Sequence, residues 1–189
     1  MRTAGFVLVG GRSSRMGRDK ALLPWRDGTL VEGIAAHVRD AAGNVALVGR
    51  PEFSEVPFIE CIPDLRPGFG PLSGIETALA TGRGELNLIH ACDLFVSEHG
   101  WLKKLFEAAE TSGAKCVITM DGDGRLHPLC AVYHSDCLAE IQKALDNNQL
   151  KLMDVVEELG AERLGLSGAV WNLNTPENWQ VLQEVTNGR

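Results

Sequence analysis

The sequence predicts an α/β fold with helices crossing over a parallel sheet, on three observations. Short, largely apolar runs recur at residues 6–9, 45–48, 85–91 and 116–120, and runs of that length and β-branched content are buried strands. Stretches with helical caps and one-sided apolar spacing lie between them, and a β-α-β order requires parallel strands joined by crossover helices. The connections after the runs are dense in glycine and proline, at the strand ends where open α/β sheets take their ligands. At 189 residues and 44% hydrophobic content, the chain can bury one sizeable core, and a single domain over residues 1–189 is the simplest organisation.

The first strand, 6–9, runs straight into Gly10-Gly11-Arg12-Ser13-Ser14-Arg15-Met16-Gly17-Arg18-Asp19-Lys20. Glycines let backbone N–H groups close on an anion without Cβ interference, and Arg12, Arg15, Arg18 and Lys20 add positive charge and phosphate donors. Two better-known phosphate loops do not fit. A P-loop needs Lys and Ser/Thr directly after its last glycine, whereas Gly17 precedes Arg18 and Asp19; the dinucleotide fingerprint separates its first two glycines, which here are adjacent. A solvated glycine-rich turn is the alternative, and the compactness of the run weighs against it.

Residues 21–25 lead to a turn at Asp27-Gly28, and Thr29 with Glu32 forms a capping box for a helix reaching about residue 40. Gly43-Asn44 breaks it, and strands follow at 45–48 and 58–61. The loop 62–75, rich in proline and glycine, feeds a helix over 75–80 whose N-terminus offers free N–H groups to a ligand. Strand 85–91 ends at Cys92-Asp93, which sets a carboxylate just past the C-terminal end of a strand. A helix over 98–110 carries Trp101, Leu102, Leu105, Phe106 and Ala109 on one side. Strands 116–120 and 128–133 flank a turn at 121–125. That turn is not a calcium loop, since Arg125 occupies a ligand position and no closing Glu follows. Helices at 136–147 and 152–159, a strand at 170–173, and a last helix with Thr175 as N-cap and Pro176 at its first position complete the chain.

The net charge of −7 argues against a general nucleic-acid binder and makes the basic N-terminal loop a local site for a small anion. No apolar run is long enough to span a bilayer and no leader pattern is present, so no membrane partner is expected and the expected location is cytoplasmic. Five cysteines, Cys61, Cys92, Cys116, Cys130 and Cys137, are odd in number and lack a Cys-x-x-Cys pair. They indicate neither a disulfide framework nor a zinc site and read as small buried residues.

The run Leu-x-Gly-Gly-x-Ser-x-Arg-Met-Gly-x-Asp-Lys resembles the N-terminal signature of the molybdenum cofactor guanylyltransferases, the molybdopterin-guanine dinucleotide biosynthesis protein A family. Ile62-Pro63-Asp64, Gly70-Pro71-Leu72-Ser73-Gly74-Ile75, Ala91-Cys92-Asp93, the His127 to Tyr133 block and Asn172-Leu173-Asn174-Thr175-Pro176-Glu177 resemble the family's later blocks in the family's order. The resemblance implies a three-layer Rossmann-like nucleotidyltransferase fold, mostly parallel with one antiparallel strand. It implies transfer of GMP from GTP to molybdopterin with release of pyrophosphate, dependent on Mg²⁺. The implied partners are GTP and molybdopterin, with molybdoenzymes or a GTP-binding adaptor as protein partners. By the same resemblance Arg15, Lys20 and Asp93 are catalytic and Asp93 is the metal ligand. Leu8, Val9, Gly10, Gly11, Lys20, Asp64 and Asp93 hold the nucleotide; His127, Asn172 and Asn174 lie on the acceptor side.

Elementary chemistry agrees with that assignment. A phosphate monoester is already an anionic nucleophile near neutral pH, so its attack on a triphosphate needs positioning and charge neutralisation more than a general base. Lys20 and Arg15 suit the charge on the triphosphate, Asp93 suits Mg²⁺, and Asp64 can accept from guanine's ring N–H and amine. Each has a plainer reading: a solvated lysine, a helix cap for Asp93, a turn cap for Asp64, a turn or core histidine for His127 and a turn residue for Asn174. Arg66 is a further candidate phosphate contact. Three departures from the family pattern stand out. Val9 replaces the usual alanine, no proline follows Asp93, and Val48-Gly49 offers no polar side chain where one often reads the base. The alternatives are a cytidylyltransferase or another nucleotidyltransferase with a different phosphorylated acceptor, and a relative that binds nucleotide or cofactor without transfer.

Overall fold

The computed structural model describes residues 1–10, 20–26, 28–49, 53, 56–96, 98, 100–173, 178–180 and 182, with Lys20 described in its backbone only. Strand β1 (Thr3–Val9) is buried along nearly its whole length, and its alternation divides the molecule into layers. Ala4, Phe6 and Leu8 join one apolar cluster, whereas Val7 and Val9 join the other. A strand buried on both faces belongs at the centre of an α/β sheet.

After a short 3₁₀ turn (Lys20–Leu22) come the paired strands β2 (Pro24–Trp25) and β3 (Gly28–Thr29). Helix α1 (Leu30–Ala42) begins with the predicted capping box, Glu32 accepting from the Thr29 N–H at 2.7 Å, and ends at Gly43 in the left-handed region, φ 79°. The remaining elements are β4 (Ala46–Gly49), β5 (Cys61–Pro63), α2 (Pro71–Ala80), β6 (Leu86–Ala91), β7 (Leu94–Val96), α3 (Trp101–Ser112), β8 (Cys116–Met120), β9 (Leu126–His134), α4 (Cys137–Asp146), α5 (Leu152–Glu158), β10 (Glu162–Gly165) and β11 (Val170–Asn172). Residues 178–180 and 182 are helical.

Seven strands form one sheet in the order β10-β8-β9-β6-β1-β4-β5. All run parallel except β9, which pairs antiparallel with both β6 and β8. Helices α1 and α3 contribute to the cluster on one face; α2, α4 and α5 contribute to the cluster on the other. This is the three-layer, mainly parallel fold that the sequence predicts.

Several boundaries differ from expectation for identifiable reasons. The strand expected at 58–61 is Cys61–Pro63 instead, because Phe58 is fully exposed and turns with φ 61°. Helix α2 starts at Pro71 behind Gly70, a proline first-turn start, and not at Ile75. Helix α3 begins at Trp101 behind Gly100 and not at residue 98. Strand β10 escapes a hydrophobic-pattern search because its side chains are largely exposed along a sheet edge. Cys92, Cys116, Cys130 and Cys137 are buried and Cys61 is half-buried. No helix among the described residues is long and apolar enough to cross a membrane.

Candidate functional site

The parallel register brings four strand ends to one edge. Leu8 lies opposite Ala91, Val9 opposite Gly49, and Gly49 opposite Pro63. Gly10, Asp64 and Asp93 therefore each sit one or two residues beyond the ends of β1, β5 and β6. The strand order β6-β1-β4-β5 puts Gly10, at the end of β1, between the two carboxylates. Leu8 and Val9 are buried wall residues, so their contribution to a ligand is confined to their backbone. Gly10 is exposed, and a Cβ placed there would meet no described atom within 4 Å. Among the described residues the backbone at the strand end thus opens on space, as an anion cradle requires. Gly11, Arg12, Arg15 and Asn174 lie outside the described residues, as does the Lys20 side chain.

The segment after the glycine loop is firmly held. Trp25 packs so closely on α1 that a Cβ at Gly33 would stand 1.7 Å from its ring, and Leu30 N–H closes onto Leu23 O at 2.9 Å. Trp25 also meets Phe95 edge-on at 6.0 Å, and Phe95 stacks on Trp171 at 5.8 Å. One aromatic row therefore ties together the segment after Lys20, the segment after Asp93 and the segment before Asn172.

Asp93 lies in the turn between β6 and β7, half-buried, and its carboxylate has no hydrogen bond or ion pair among the described residues. Its backbone is fixed: Leu173 N–H donates to Asp93 O at 2.8 Å, and β11 pairs with β7 with Asn172 opposite Leu94. That pairing explains the missing proline. A proline at 94 or 95 would disturb the short ladder that β7 makes with β11, and Phe95 instead supplies the centre of the aromatic row. Asn172 is exposed and comes to the same edge as Asp93.

Asp64 follows β5, where Leu65 N–H donates to Thr77 Oγ1 at 2.9 Å and Arg66 N–H to Ser73 Oγ at 3.2 Å. Ser73 and Thr77 are buried on α2, so the helix grips the chain immediately after the carboxylate. Asp64 Oδ1 is buried and meets no hydrogen-bond donor among the described residues, and burial pushes its carboxyl above the ordinary carboxylate range. Unpaired buried acceptors are costly unless a ligand supplies the donor. Neither Ser73 nor Thr77 carries a sequence signal beyond the proline- and glycine-rich block, and neither was expected to hold this loop.

Arg66 serves a different purpose from the expected phosphate contact. Its Nε lies 3.1 Å from buried Glu76 Oε2, off the hydrogen-bonding line, and its Nη1 lies 2.6 Å from Asp146 Oδ1. The guanidinium clamps the β5 loop to α2 and α4, because a carboxylate buried on α2 needs a cation beside it.

The end of β4 is bare by necessity. Gly49 has φ 143°, and a Cβ there would fall 1.7 Å from Val9 O, so no side chain of any kind fits between the two strands. His127 stands at the start of β9, whose pairing with β6 sets Cys130 opposite His90 and runs toward the same edge. It contacts Asp121 at 2.9 Å through Nε2.

No group of three or more His, Cys, Asp or Glu residues suited to a metal occurs among the described residues. Magnesium is commonly held by one or two carboxylates completed by phosphate oxygens and water, and Asp93, without a partner among the described residues and one strand over from Gly10, fits that pattern.

Known proteins share both sequence and fold with this chain. The family described as "MobA-like NTP transferase domain" matches residues 5–163. A "Probable molybdenum cofactor guanylyltransferase" of Flavobacterium johnsoniae is 31% identical over 163 residues, 85% of this chain and 84% of the relative. A protein of the same name from Bacillus subtilis is 29% identical, covering 99% of this chain and 98% of its own. Among solved structures, molybdopterin-guanine dinucleotide biosynthesis protein A from Archaeoglobus fulgidus superposes with a TM-score of 0.82 at 23% identity, covering 98% of this chain and all of that one. The UDP-glucose pyrophosphorylase of Acinetobacter baumannii superposes at 0.71 with 13% identity, covering 96% and 92%.

Proposed function

From the premise that the chain belongs to the MobA-like NTP transferase family and is a nucleotidyltransferase of molybdenum cofactor biosynthesis, we propose that it transfers GMP from GTP to molybdopterin and releases pyrophosphate. The observation that carries this reading is the pair of carboxylates, Asp64 and Asp93, that find no partner among the described residues and lie on either side of the Gly10 strand end.

In this reading the guanine ring gives its N–H and amine protons to Asp64, and the buried Oδ1 gains the donors it lacks. The Leu8 to Gly11 backbone receives the triphosphate, and Arg15 and Lys20 offset its charge and that of the leaving pyrophosphate. Mg²⁺ would be held by Asp93 and phosphate oxygens, where it supplies charge neutralisation. The acceptor's terminal phosphate, placed by His127, Asn172 and Asn174, attacks the α-phosphorus. A P–O bond to the acceptor forms as the bond to the β-phosphate breaks, and the electron pair leaves with pyrophosphate. No residue need remove a proton, since the nucleophile is an anion.

With no room for a side chain at Gly49, selection of the base falls on Asp64. The reaction is tested by mixing protein, GTP, Mg²⁺ and molybdopterin and measuring the dinucleotide by mass spectrometry. Product is expected in equal amount to pyrophosphate, and neither is expected after chelation of the metal. Tight binding of GTP without product would instead mark a nucleotide-binding relative that performs no transfer.

A further inference from the structure

We propose that Asp121 is a positioning residue for the acceptor: its carboxylate fixes the His127 imidazole through Nε2, so that Nδ1 faces the acceptor's phosphate. This rests on the reading of His127 as an acceptor-side group and assigns a role to a residue outside the family's motif blocks.

The Asp121 carboxylate is itself immobilised. Oδ1 accepts from Asp123 N–H at 3.0 Å and Arg125 N–H at 2.9 Å, while Oδ2 takes His127 Nε2 at 2.9 Å. The turn is closed a second time by the backbone, with Asp121 N–H on Arg125 O at 2.9 Å and Gly124 N–H on Asp121 O at 2.9 Å. Both side chains are mostly buried, 9% exposed for Asp121 and 15% for His127. No described residue meets Nδ1.

The strand under His127 is built to hold the ring in that place. Between Ile118 and Thr119 the β8–β9 register slips, Ile118 facing Ala131 and Thr119 facing His127, so residues 128–130 form a bulge. Bulges re-aim side chains and cluster beside functional sites. Two carbonyls of this bulge are satisfied by side chains: Tyr133 Oη donates to Pro128 O at 2.8 Å and Thr119 Oγ1 to Cys130 O at 2.7 Å. Pro128 has no N–H to leave unpaired. Two of its carbonyls are thus paired, and it leads back to a histidine at the start of β9, the end of that strand that lies toward the C-terminal end of β6.

The chemistry depends on which atom can donate. The hydrogen bond from His127 and two backbone amides hold the Asp121 carboxyl below the ordinary range, and an ionised carboxylate only accepts. Nε2 therefore carries the hydrogen. A second proton can reside only on Nδ1, directed away from Asp121, where it makes a charge-assisted hydrogen bond to a phosphate oxygen. An asparagine at 121 keeps the oxygen that closes the turn and removes the anion that fixes the ring.

The test compares wild type, Asp121→Asn, His127→Gln and the double variant, using molybdopterin as acceptor. Asp121→Asn is expected to raise KM for the acceptor by ~10- to 100-fold, the range for losing a hydrogen bond to a charged group, with KM for GTP unchanged. The double variant is expected to be no worse than His127→Gln. Nitrogen-15 imidazole spectra without substrate, the His127 signals identified by their loss in His127→Gln, are expected to show hydrogen on Nε2 in wild type and an altered pattern in Asp121→Asn. An unchanged acceptor KM, an additive double variant or an unaltered imidazole pattern would overturn the proposal. If wild type forms no product with molybdopterin, the transfer reading fails by itself, and the spectra still decide whether Asp121 fixes the ring.

Discussion

Leu173 donates its backbone N–H to the carbonyl of Asp93 at 2.8 Å, joining the turn after β6 to the segment after β11. The bond uses the Asp93 backbone and leaves its carboxylate without a partner among the described residues. A side-chain change at 93 should therefore separate chemistry from folding. Asp93→Ala is expected to lower kcat by about 10³-fold, the scale for removing a principal charge-stabilising element. Its unfolding free energy should stay within about 0.5 kcal/mol of wild type, as for a surface change that breaks no contact. Steady-state pyrophosphate release and urea titration check the two halves.

Asp64 offers a buried acceptor that no donor among the described residues meets. Asp64→Asn replaces one acceptor by a donor facing guanine's own donors. KM for GTP should rise about 100-fold, near the 3 kcal/mol upper range for a hydrogen bond to a charged group. Inosine triphosphate, which lacks the exocyclic amine, should lose much less on the same substitution. An equal loss for both nucleotides would place the base elsewhere.

Arg66 stands between Glu76, 2% exposed, and Asp146. Arg66→Met leaves the buried Glu76 carboxylate without its neighbouring cation and should lower the urea midpoint. Adding Glu76→Gln should restore part of that loss in urea unfolding. A phosphate-binding role would predict the opposite pattern, a kinetic defect with unchanged stability.

The sheet was legible because its central strands are buried on both faces and carry unbroken apolar patterns. Asp93 was placed correctly from the run at 85–91 alone, since a strand's end fixes the residue that follows it. Strand β10 was not legible, because Glu162, Arg163 and Gly165 are exposed and tertiary pairing with β8 decides their conformation. Phe58 misled in the other direction, an apolar residue in a solvent-facing turn. At the site, Asp64 and Asp93 came from motif blocks, whereas the contacts of Arg66 and Asp121 are with partners distant in sequence or across a turn and became visible only in three dimensions.

His90 on β6 is fully buried and hydrogen-bonded to Ala91 O, and desolvation pushes its pKa down to about 4. The unfolded chain takes up this proton near pH 6.5, whereas the folded chain takes it up near 4. Stability from this group is therefore complete above pH 6.5 and falls as pH drops to 4, by about 3 kcal/mol in all at about 1.4 kcal/mol per pH unit. Urea titrations at pH 7, 6 and 5 should show a slope in wild type that is smaller by up to one proton in His90→Gln. Equal slopes in the two proteins would contradict it.

The proposed nucleotide site rests on one arrangement, in which the carboxylate proposed to read guanine and the carboxylate proposed to serve the metal flank the Gly10 strand end. A competition among ATP, CTP, GTP and UTP at equal concentration, with Mg²⁺ and molybdopterin, tests it most directly when the dinucleotide products are resolved by mass. The guanine dinucleotide is expected to dominate in wild type, Asp64→Asn to lose this preference, and Asp93→Ala to form dinucleotide about 10³-fold more slowly. A dominant cytosine dinucleotide, or a guanine preference untouched by Asp64→Asn, would contradict it.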